Sequence, residues 1–292
     1  MQTSSSVDYG YLRQLVFGLS QNVLDPSRDY LFDTRLTRLL RNRGMTHLEE
    51  LVQHLKLRKD PLLERSIAEA MTINETSFFR DGRPFELLRA ELLPKLIDSR
   101  CYARTLRFWS AACSTGQEAY SLGMLIHEHF PLLAGWTIRI EGTDICSEVV
   151  ERAQAGRYHR IEMNRGLPAR SVVRYFDHVG EDWVVKPVIG RMCNFRQANL
   201  CSSPLPFSRI DDRFDVIFLR NVMLYFSQES RRTRASHSWP ASTGCWPPTA
   251  SSSSAPASSP PTRRSGLRSW PAGHATSGQD SRVERRLLAA SF

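Results

Sequence analysis

The sequence lacks the features that mark membrane-spanning, secreted and metal-binding proteins. It contains no run of about 18 apolar residues, so we predict no membrane insertion. Its first residues, MQTSSSVDYGYLRQLVF, have neither the basic start nor the continuous apolar stretch of a signal peptide. The six cysteines form no CxxC pair and the eight histidines show no ligand spacing, which predicts reduced thiols and no metal site. Together these absences predict a cytoplasmic protein.

A basic folded surface is also missing, although the formal net charge is +9. Residues 231–292 hold nine arginines against Asp280 and Glu284, so they account for +7 of that charge. The first 230 residues carry the remaining +2. Because the excess lies in a terminal segment and not on one folded face, we expect no nucleic-acid partner.

Apolar residues spaced three and four apart predict helices over the first hundred residues. We expect an all-helical N-terminal domain at residues 1–85 and a linker helix at 86–103. Thr46 followed by Glu49 is typical of a capping box, and Pro84 suits the first turn of the last helix. The predicted helical segments are YLRQLVFGLSQNVL, DTRLTRLLRNRG, THLEELVQHLKL, PLLERSIAEAMTI and PFELLRAELLPKLID.

From residue 104 onward, strands and helices alternate along the chain. The strand-like segments are TLRFWSAA, TIRIEGTD, MCNFRQANL and FDVIFLRN, and the helical ones are EAYSLGMLIHEHF and SEVVERAQAG. This alternation predicts an α/β fold, with a parallel sheet covered by helices, over residues 104–230. Short segments such as DWVVKPVI interrupt it at 157–195, where we expect a small inserted subdomain.

Polar or small residues follow each predicted strand of the sheet. In open parallel sheets, ligands bind at the carboxyl ends of the strands. Small residues in SAACSTG follow the first strand, where the loop backbone can approach a ligand closely. Asp144 ends the second strand, Asn199 and Leu200 the third, and Asn221 and Val222 the fourth. An acidic side chain at such a place can accept the hydroxyls of an adenosine ribose, or it can cap the helix that follows.

Six ordered segments resemble the CheR family of bacterial chemotaxis-receptor glutamate methyltransferases, over residues of about 10–226. They are NETSFFRDGRPFELL, SAACSTGQEAYSLGM, EGTDICSEVVERAQAGRY, RGLPARSVVRYF, QANL and FDVIFLRNVMLYF. The resemblance implies a helical N-terminal domain joined to a Rossmann-like methyltransferase domain with a small inserted β-subdomain. It also implies methylation of glutamate side chains in chemotaxis signalling, with S-adenosylmethionine as the methyl donor.

The same resemblance implies a set of pocket residues. Glu118 suits the donor's ammonium group, and Arg80 suits a carboxylate of either the donor or the substrate glutamate. Tyr225 is implied close to the reacting methyl, so Arg80 and Tyr225 are the implied catalytic residues; alone, they would be read as a surface ion-pair residue and a core aromatic. The family pattern GEEPYS is GQEAYS here, with an amide at Gln117, so only Glu118 is carried over. The implied donor-binding residues are Asn74, Thr76, Arg80, Glu118, Asp144, Asn199, Leu200, Asn221 and Val222.

Arginines cluster along one side of the second predicted helix, at Arg35, Arg38, Arg41 and Arg43. A solvated face is the ordinary interpretation of such a cluster. The resemblance instead implies a basic helix that docks on the acidic cytoplasmic bundle of a chemoreceptor, and we expect a monomer that uses Arg35, Arg38 and Arg41 in this way. Two other functions stay open: a catalytically impaired S-adenosylmethionine-binding signalling module, and a methyltransferase for a small acid, which would need no docking domain.

The composition changes abruptly near the C-terminus. Between Ser227 and Ser281 there is no Ile, Val, Phe or Tyr, and this predicts disorder over residues 231–292. A reading-frame shift is the alternative hypothesis. Read one base earlier, the codons of Trp239–Ala250 permit Leu-Ala-Arg-Leu-His-Arg-Leu-Leu-Ala-Pro-Asp-Gly, which resembles the helix and turn that the family has at this point. The slip would fall between residues 231 and 238, and the chain as written would lack the last strands of the sheet.

Overall fold

The computed structural model describes residues 7–202, 207 and 213–229. The predictions for the tail at 231–292 lie outside these residues. Among the helices that are described, none has the length and apolar character needed to span a membrane.

The described residues before Thr72 form helices around an apolar core of their own. The helix predicted over 33–44 is broken in two at Leu36, which lies between α2 and α3. Asp8 and Asp60 accept backbone N–H bonds from the first turns of α1 and α5, so carboxylates satisfy these helix ends. Leu12, Phe32 and Ile67 are fully buried in the core between the helices. The five helices are α1 (Tyr9–Ser20), α2 (Tyr30–Arg35), α3 (Thr37–Asn42), α4 (Leu48–Leu57) and α5 (Pro61–Ala70).

A long helical run then leads to the sheet. It consists of α6 (Arg83–Leu87), a π-helical turn (Leu88–Leu92) and α7 (Leu93–Arg100). Pro84 lies in the first turn of α6, as predicted. The π-helical turn precedes Pro94, which has no backbone N–H to continue the regular hydrogen-bond ladder.

The predicted α/β fold is confirmed. Four parallel strands among the described residues lie in the order β6 (Cys193–Gln197), β2 (Thr137–Asp144), β1 (Thr105–Ala111) and β7 (Val216–Leu219). Ala111 is level with Thr143 on one side and Leu219 on the other, so the carboxyl ends of the strands meet at one edge. The crossover helices are α8 (Gln117–His129) and α9 (Ser147–Ala155).

A second, antiparallel sheet lies between α9 and β6 in sequence. Its order is β3–β5–β4, and its strands are β3 (Arg157–His159), β4 (Phe176–Val179) and β5 (Asp182–Val185). The short helices beside it are α10 (Arg160–Met163), α11 (Ala169–Tyr175) and α12 (Pro187–Gly190). Residues 193–195 were expected in the insertion, but they pair with β2 in the main sheet, where Phe195 packs against Gly142. The division of the chain into domains stays a prediction.

The helical region contacts the main sheet at the carboxyl edge of its strands. The backbone N–H of Val23 donates to the carbonyl of Tyr225 at 2.9 Å, and Asn22 forms a β-bridge with Phe226. On α5, Glu69 accepts bonds from the backbone N–H and the hydroxyl of Ser147, the first residue of α9. This docking leaves a cavity between the helices and the strand ends.

Candidate functional site

The cavity at the strand ends has an empty volume of about 960 Å³, counted out into open solvent. All the residues that the resemblance implied for the donor pocket or for catalysis line this one cavity: Asn74, Thr76, Arg80, Glu118, Asp144, Asn199, Leu200, Asn221, Val222 and Tyr225.

The loop after β1 has an unusual backbone. Ala112 and Ser114 have φ values of 59° and 50°, and Gly116 has 92°. Left-handed conformations are unfavourable for residues with a Cβ, and where they persist they cluster at ligand-binding loops. Here the Ser114 hydroxyl donates to the carbonyl of Asn74 at 2.7 Å, so the loop is bonded to the segment opposite.

Asp144 joins two loops at the edge of the cavity. One carboxylate oxygen accepts from the Ser114 N–H at 2.9 Å, and the other accepts from the Cys146 N–H at 3.1 Å, just before α9. The residue is 6% exposed. Burial raises the pKa of Asp144, and the bonds from Cys146 and Ser114 oppose that rise. The side chain therefore holds the two loops together and also faces the cavity.

Glu118 lies in the first turn of α8, where the helix N-terminus favours a negative charge. Its two oxygens accept from the Ser110 hydroxyl at 2.7 Å and from Arg220 Nη1 at 3.1 Å. Burial raises the pKa of Glu118, while Arg220 and Ser110 oppose the rise. The neighbouring Gln117 is buried and accepts from the Thr115 hydroxyl, and it does not line the cavity. Only the second acidic position of the family pattern is thus exposed to a ligand.

The turn at Asn74–Arg80 forms the opposite wall. The Phe79 N–H donates to the Ser121 hydroxyl at 2.9 Å, which fastens the turn to α8. Arg80 Nη1 donates to the carbonyl of Glu75 at 2.6 Å. In the described part of the chain the rest of this guanidinium has no hydrogen-bond partner, so it is available to a carboxylate in the cavity.

The third and fourth strand ends contribute in different ways. The side chain of Asn199 donates to the carbonyl of Leu19 at 2.7 Å and accepts from the Cys201 N–H at 2.8 Å, so it is engaged in holding the end of α1. Asn221 has a φ of 57°, which asparagine tolerates better than most residues. Tyr225 lines the same cavity, and its hydroxyl has no hydrogen-bond partner among the described residues.

Sequence reasoning missed Arg220 and the contribution of the first helix. Arg220 follows β7 directly and lines the cavity, with its side chain only 1% exposed. A charged residue at the end of a fully apolar strand was the available signal, because arginine is seldom buried without a partner. Ser20 and Asn22 also line the cavity, and nothing in their local sequence pattern indicates this.

Comparisons with known proteins agree with this geometry. A family model described as CheR methyltransferase, SAM binding domain, matches residues 74–237. Chemotaxis protein methyltransferase 1 of Pseudomonas aeruginosa is 38% identical over 234 residues, which cover 79% of this chain and 83% of that protein. Chemotaxis protein methyltransferase Cher2 of Pseudomonas putida is 34% identical over the same shares, and the chemotaxis protein methyltransferase of Vibrio parahaemolyticus is 35% identical over 72% of this chain and 74% of that protein. The chain therefore belongs to the CheR family of S-adenosylmethionine-dependent methyltransferases.

Proposed function

We propose that this chain methylates glutamate side-chain carboxylates on chemoreceptors, using S-adenosylmethionine. The observation that carries the proposal is that one cavity gathers ten separate positions, which extend from Asn74 to Tyr225 in the sequence. The relatives are named chemotaxis protein methyltransferases, and this supports a chemotaxis substrate.

The side chains of the cavity fit the chemical groups of the methyl donor. Asp144 offers carboxylate oxygens to the ribose hydroxyls, and Glu118 offers them to the ammonium group. Arg80 offers its remaining guanidinium donors to a carboxylate, either of the donor or of the substrate. Ile145 and Leu200 provide apolar wall for the adenine. When bound, S-adenosylmethionine supplies an electrophilic methyl group.

The protein needs no general base for this transfer. A glutamate carboxylate has a reference pKa of about 4.3 and is ionised at neutral pH. The task of the chain is to orient that carboxylate and exclude water, and good alignment is worth up to about 7–11 kcal/mol. We assign the orienting role to Arg80 and Tyr225, which face the cavity without a full set of internal partners.

We further propose that the helical region, residues 1–85, docks on the cytoplasmic bundle of the receptor, with the chain acting as a monomer in the cytoplasm. Arg38 and Arg41 are exposed on α3 and suit an acidic partner. The Arg38 pair with Glu148, at 3.5 Å, joins side chains that are 80% and 69% exposed, and such a pair is easily exchanged for a receptor carboxylate. Arg35 is half-buried and donates to the carbonyl of Thr72 at 2.8 Å, which indicates a structural role for it.

The proposal is tested by transfer of a radiolabelled methyl group to a receptor cytoplasmic fragment. We expect alkali-labile label on the wild-type fragment and none on a fragment whose acceptor glutamates are changed to glutamine. The Arg80→Ala variant should lose most of the transfer, and the exposed Arg89→Ala variant should keep it. Label that is alkali-stable, or that persists on the glutamine fragment, would contradict glutamate methylation.

A second candidate is a signalling module that binds S-adenosylmethionine but transfers methyl groups poorly. Among the described residues, β7 pairs with β1 on one side and with no strand on the other, and the family match ends at residue 237. Both observations are consistent with a frame slip between residues 231 and 238, which we propose as the origin of the tail. Sequencing the DNA across this interval tests it: an extra or missing base supports the slip, and an intact frame in independent isolates contradicts it. Donor binding without transfer by a frame-corrected chain would favour the module over the enzyme.

A further inference from the structure

Arg220 connects three parts of the donor cavity. It follows β7, and its guanidinium reaches Glu118 on α8 and the turn before α6. Nη1 donates to Glu118 at 3.1 Å, while Nη2 donates to the Asp81 carboxylate at 2.6 Å and to the carbonyl of Arg80 at 2.7 Å. These contacts span 102, 139 and 140 residues of sequence, so only the folded chain brings them together.

The placement of this guanidinium is unfavourable in itself. The side chain is 1% exposed, and Nε is buried without a hydrogen-bond acceptor in the described part of the chain. Burying a cation is expensive even when it is paired, and an unpaired buried donor adds to that penalty. A partly unsatisfied buried cation beside a ligand cavity therefore calls for a reason other than stability.

The first consequence of Arg220 concerns the charge of Glu118. Burial raises the pKa of Glu118, and Arg220 is the largest influence that opposes the rise. The other groups that face Glu118 are the Arg80 guanidinium and the Cys113 thiol, and burial raises the pKa of that thiol well above its ordinary value. Cys113 is therefore neutral near pH 7, and the two arginines are the cations that favour the ionised form of Glu118.

The second consequence concerns the turn that carries Arg80. Phe79 and Asp81 have φ values of 50° and 62°, left-handed conformations on both sides of Arg80. Arg220 Nη2 binds the carbonyl of Arg80 itself and the side chain of Asp81. The bond to the carbonyl fixes the backbone from which the Arg80 side chain enters the cavity.

We propose that Arg220 is a positioning residue for the methyl donor: it holds Glu118 as a carboxylate acceptor for the donor's ammonium group and fixes the backbone of Arg80. This inference rests on the proposed function, since it takes Glu118 as the partner of the ammonium. It adds that Arg220 acts on the donor through the other two segments and not by direct contact.

The test is calorimetric titration of S-adenosylmethionine into the purified full chain between pH 6.0 and 7.5. This range lies below the pKa of about 7.7–8.0 that is ordinary for an α-amino group, so the ammonium form of the donor predominates throughout. The variants are Arg220→Met, Arg220→Lys, Glu118→Gln and the double variant Glu118→Gln/Arg220→Met. The control is Arg100→Met, which removes an arginine paired with the buried Asp215 at 2.6 Å, away from the cavity lining.

We expect the affinity of the wild-type chain for S-adenosylmethionine to stay constant with pH over this range. The Arg220→Met variant should bind about tenfold more weakly, or worse, at pH 6.0 and recover affinity as the pH rises. Arg220→Lys keeps the cation and should stay flat, so it tests the proposal even if the methionine variant does not fold. Removing Arg220 from the Glu118→Gln chain should add no pH dependence, and Arg100→Met should lower stability while leaving donor affinity unchanged.

Three results would overturn the inference. The first is an Arg220→Met variant whose donor affinity equals that of the wild type and does not change with pH, which would mean that Arg220 only stabilises the structure. The second is a pH-dependent loss of donor affinity in Arg220→Lys as large as in Arg220→Met. The third is the same pH-dependent loss when Arg220→Met is added to Glu118→Gln. A wild-type chain that binds no donor would sink the proposed function along with this inference, whereas normal binding that ignores Arg220 would sink the inference alone.

Discussion

At the scale of single residues, the donor cavity is lined by charged side chains whose hydrogen-bond partners are distant in sequence. Asp144 could be nominated because it ends a predicted strand, and Glu118 because the family resemblance implied it. Arg220 also ends a strand, but its bond to Glu118 could not be predicted, because that bond spans 102 residues and depends on the strand order. Asn199 lines the cavity, but its amide is engaged with the carbonyl of Leu19, a contact that no local pattern encodes.

The buried carboxylate of Glu118 should make the stability of the ligand-free chain depend on pH. Because burial raises its pKa above the ordinary 4.5, the folded state holds this proton more tightly than the unfolded state does. The contribution of Glu118 to the free energy of unfolding is therefore largest below pH 4.5 and is lost as the pH rises through the folded-state pKa. Urea denaturation at a series of pH values should show the wild type losing stability relative to Glu118→Gln over this window. The exposed Glu86→Gln is the control, and parallel curves for wild type and Glu118→Gln would refute the assignment.

Gly166 should be among the least replaceable glycines in the described residues. Its φ is +100°, and a Cβ would overlap the carbonyl oxygen of Phe78 in the turn that carries Arg80. Gly180 is the matched control, since its φ is +66° and a Cβ there meets nothing within 4 Å. We expect Gly180→Ala to lower the free energy of unfolding by about 1–2 kcal/mol. Gly166→Ala should lose about 1–3 kcal/mol more and should also weaken donor binding; equal losses in urea denaturation would contradict the close contact.

At the scale of elements, periodicity predicted which elements exist better than where they end. The strand TIRIEGTD and the helices α8 and α9 were predicted within a residue or two, and Gly156 ends α9 in the left-handed conformation that glycine favours at a C-cap. The predicted capping box was wrong: Thr46 bonds to Glu50 and not to Glu49, and α4 begins at Leu48. The break at Leu36 was also missed, because apolar spacing continues across it while the backbone does not. Tertiary packing decides such details.

The α3 surface offers a prediction about the receptor. Changing Arg38 and Arg41 together to glutamate should raise the KM for a receptor fragment by about tenfold, because it reverses charge on an exposed face opposite an acidic partner. Donor affinity should not change, since neither residue lines the cavity. The effect should shrink as salt is added, because exposed charges are screened. The exposed Arg89→Glu is the control, and an unchanged KM in the α3 variant would place the docking surface elsewhere.

At the scale of the whole molecule, the fold class followed from strand–helix alternation, and the Rossmann-like domain with a small inserted β-subdomain followed from the family resemblance. Neither told us that α1 would bond to Asn199, and Val23 after it to Tyr225, and so help to build the cavity. The tail is the other large-scale question, and it lies outside the described residues. If the frame slip is correct, the corrected chain should unfold at a higher temperature than the chain as written, since more apolar surface would be buried on the β7 side of the sheet. Equal melting temperatures in calorimetry would argue that the written tail is the natural one.

The most direct test of the donor assignment is a crystal structure of the chain with S-adenosylhomocysteine, the product that remains after methyl transfer. We expect the ribose hydroxyls at Asp144, the ammonium at Glu118 and the homocysteine sulfur on the side of the cavity that Tyr225 and Arg80 face. A ligand bound elsewhere, or one in this cavity that leaves both carboxylates without a contact, would contradict the account.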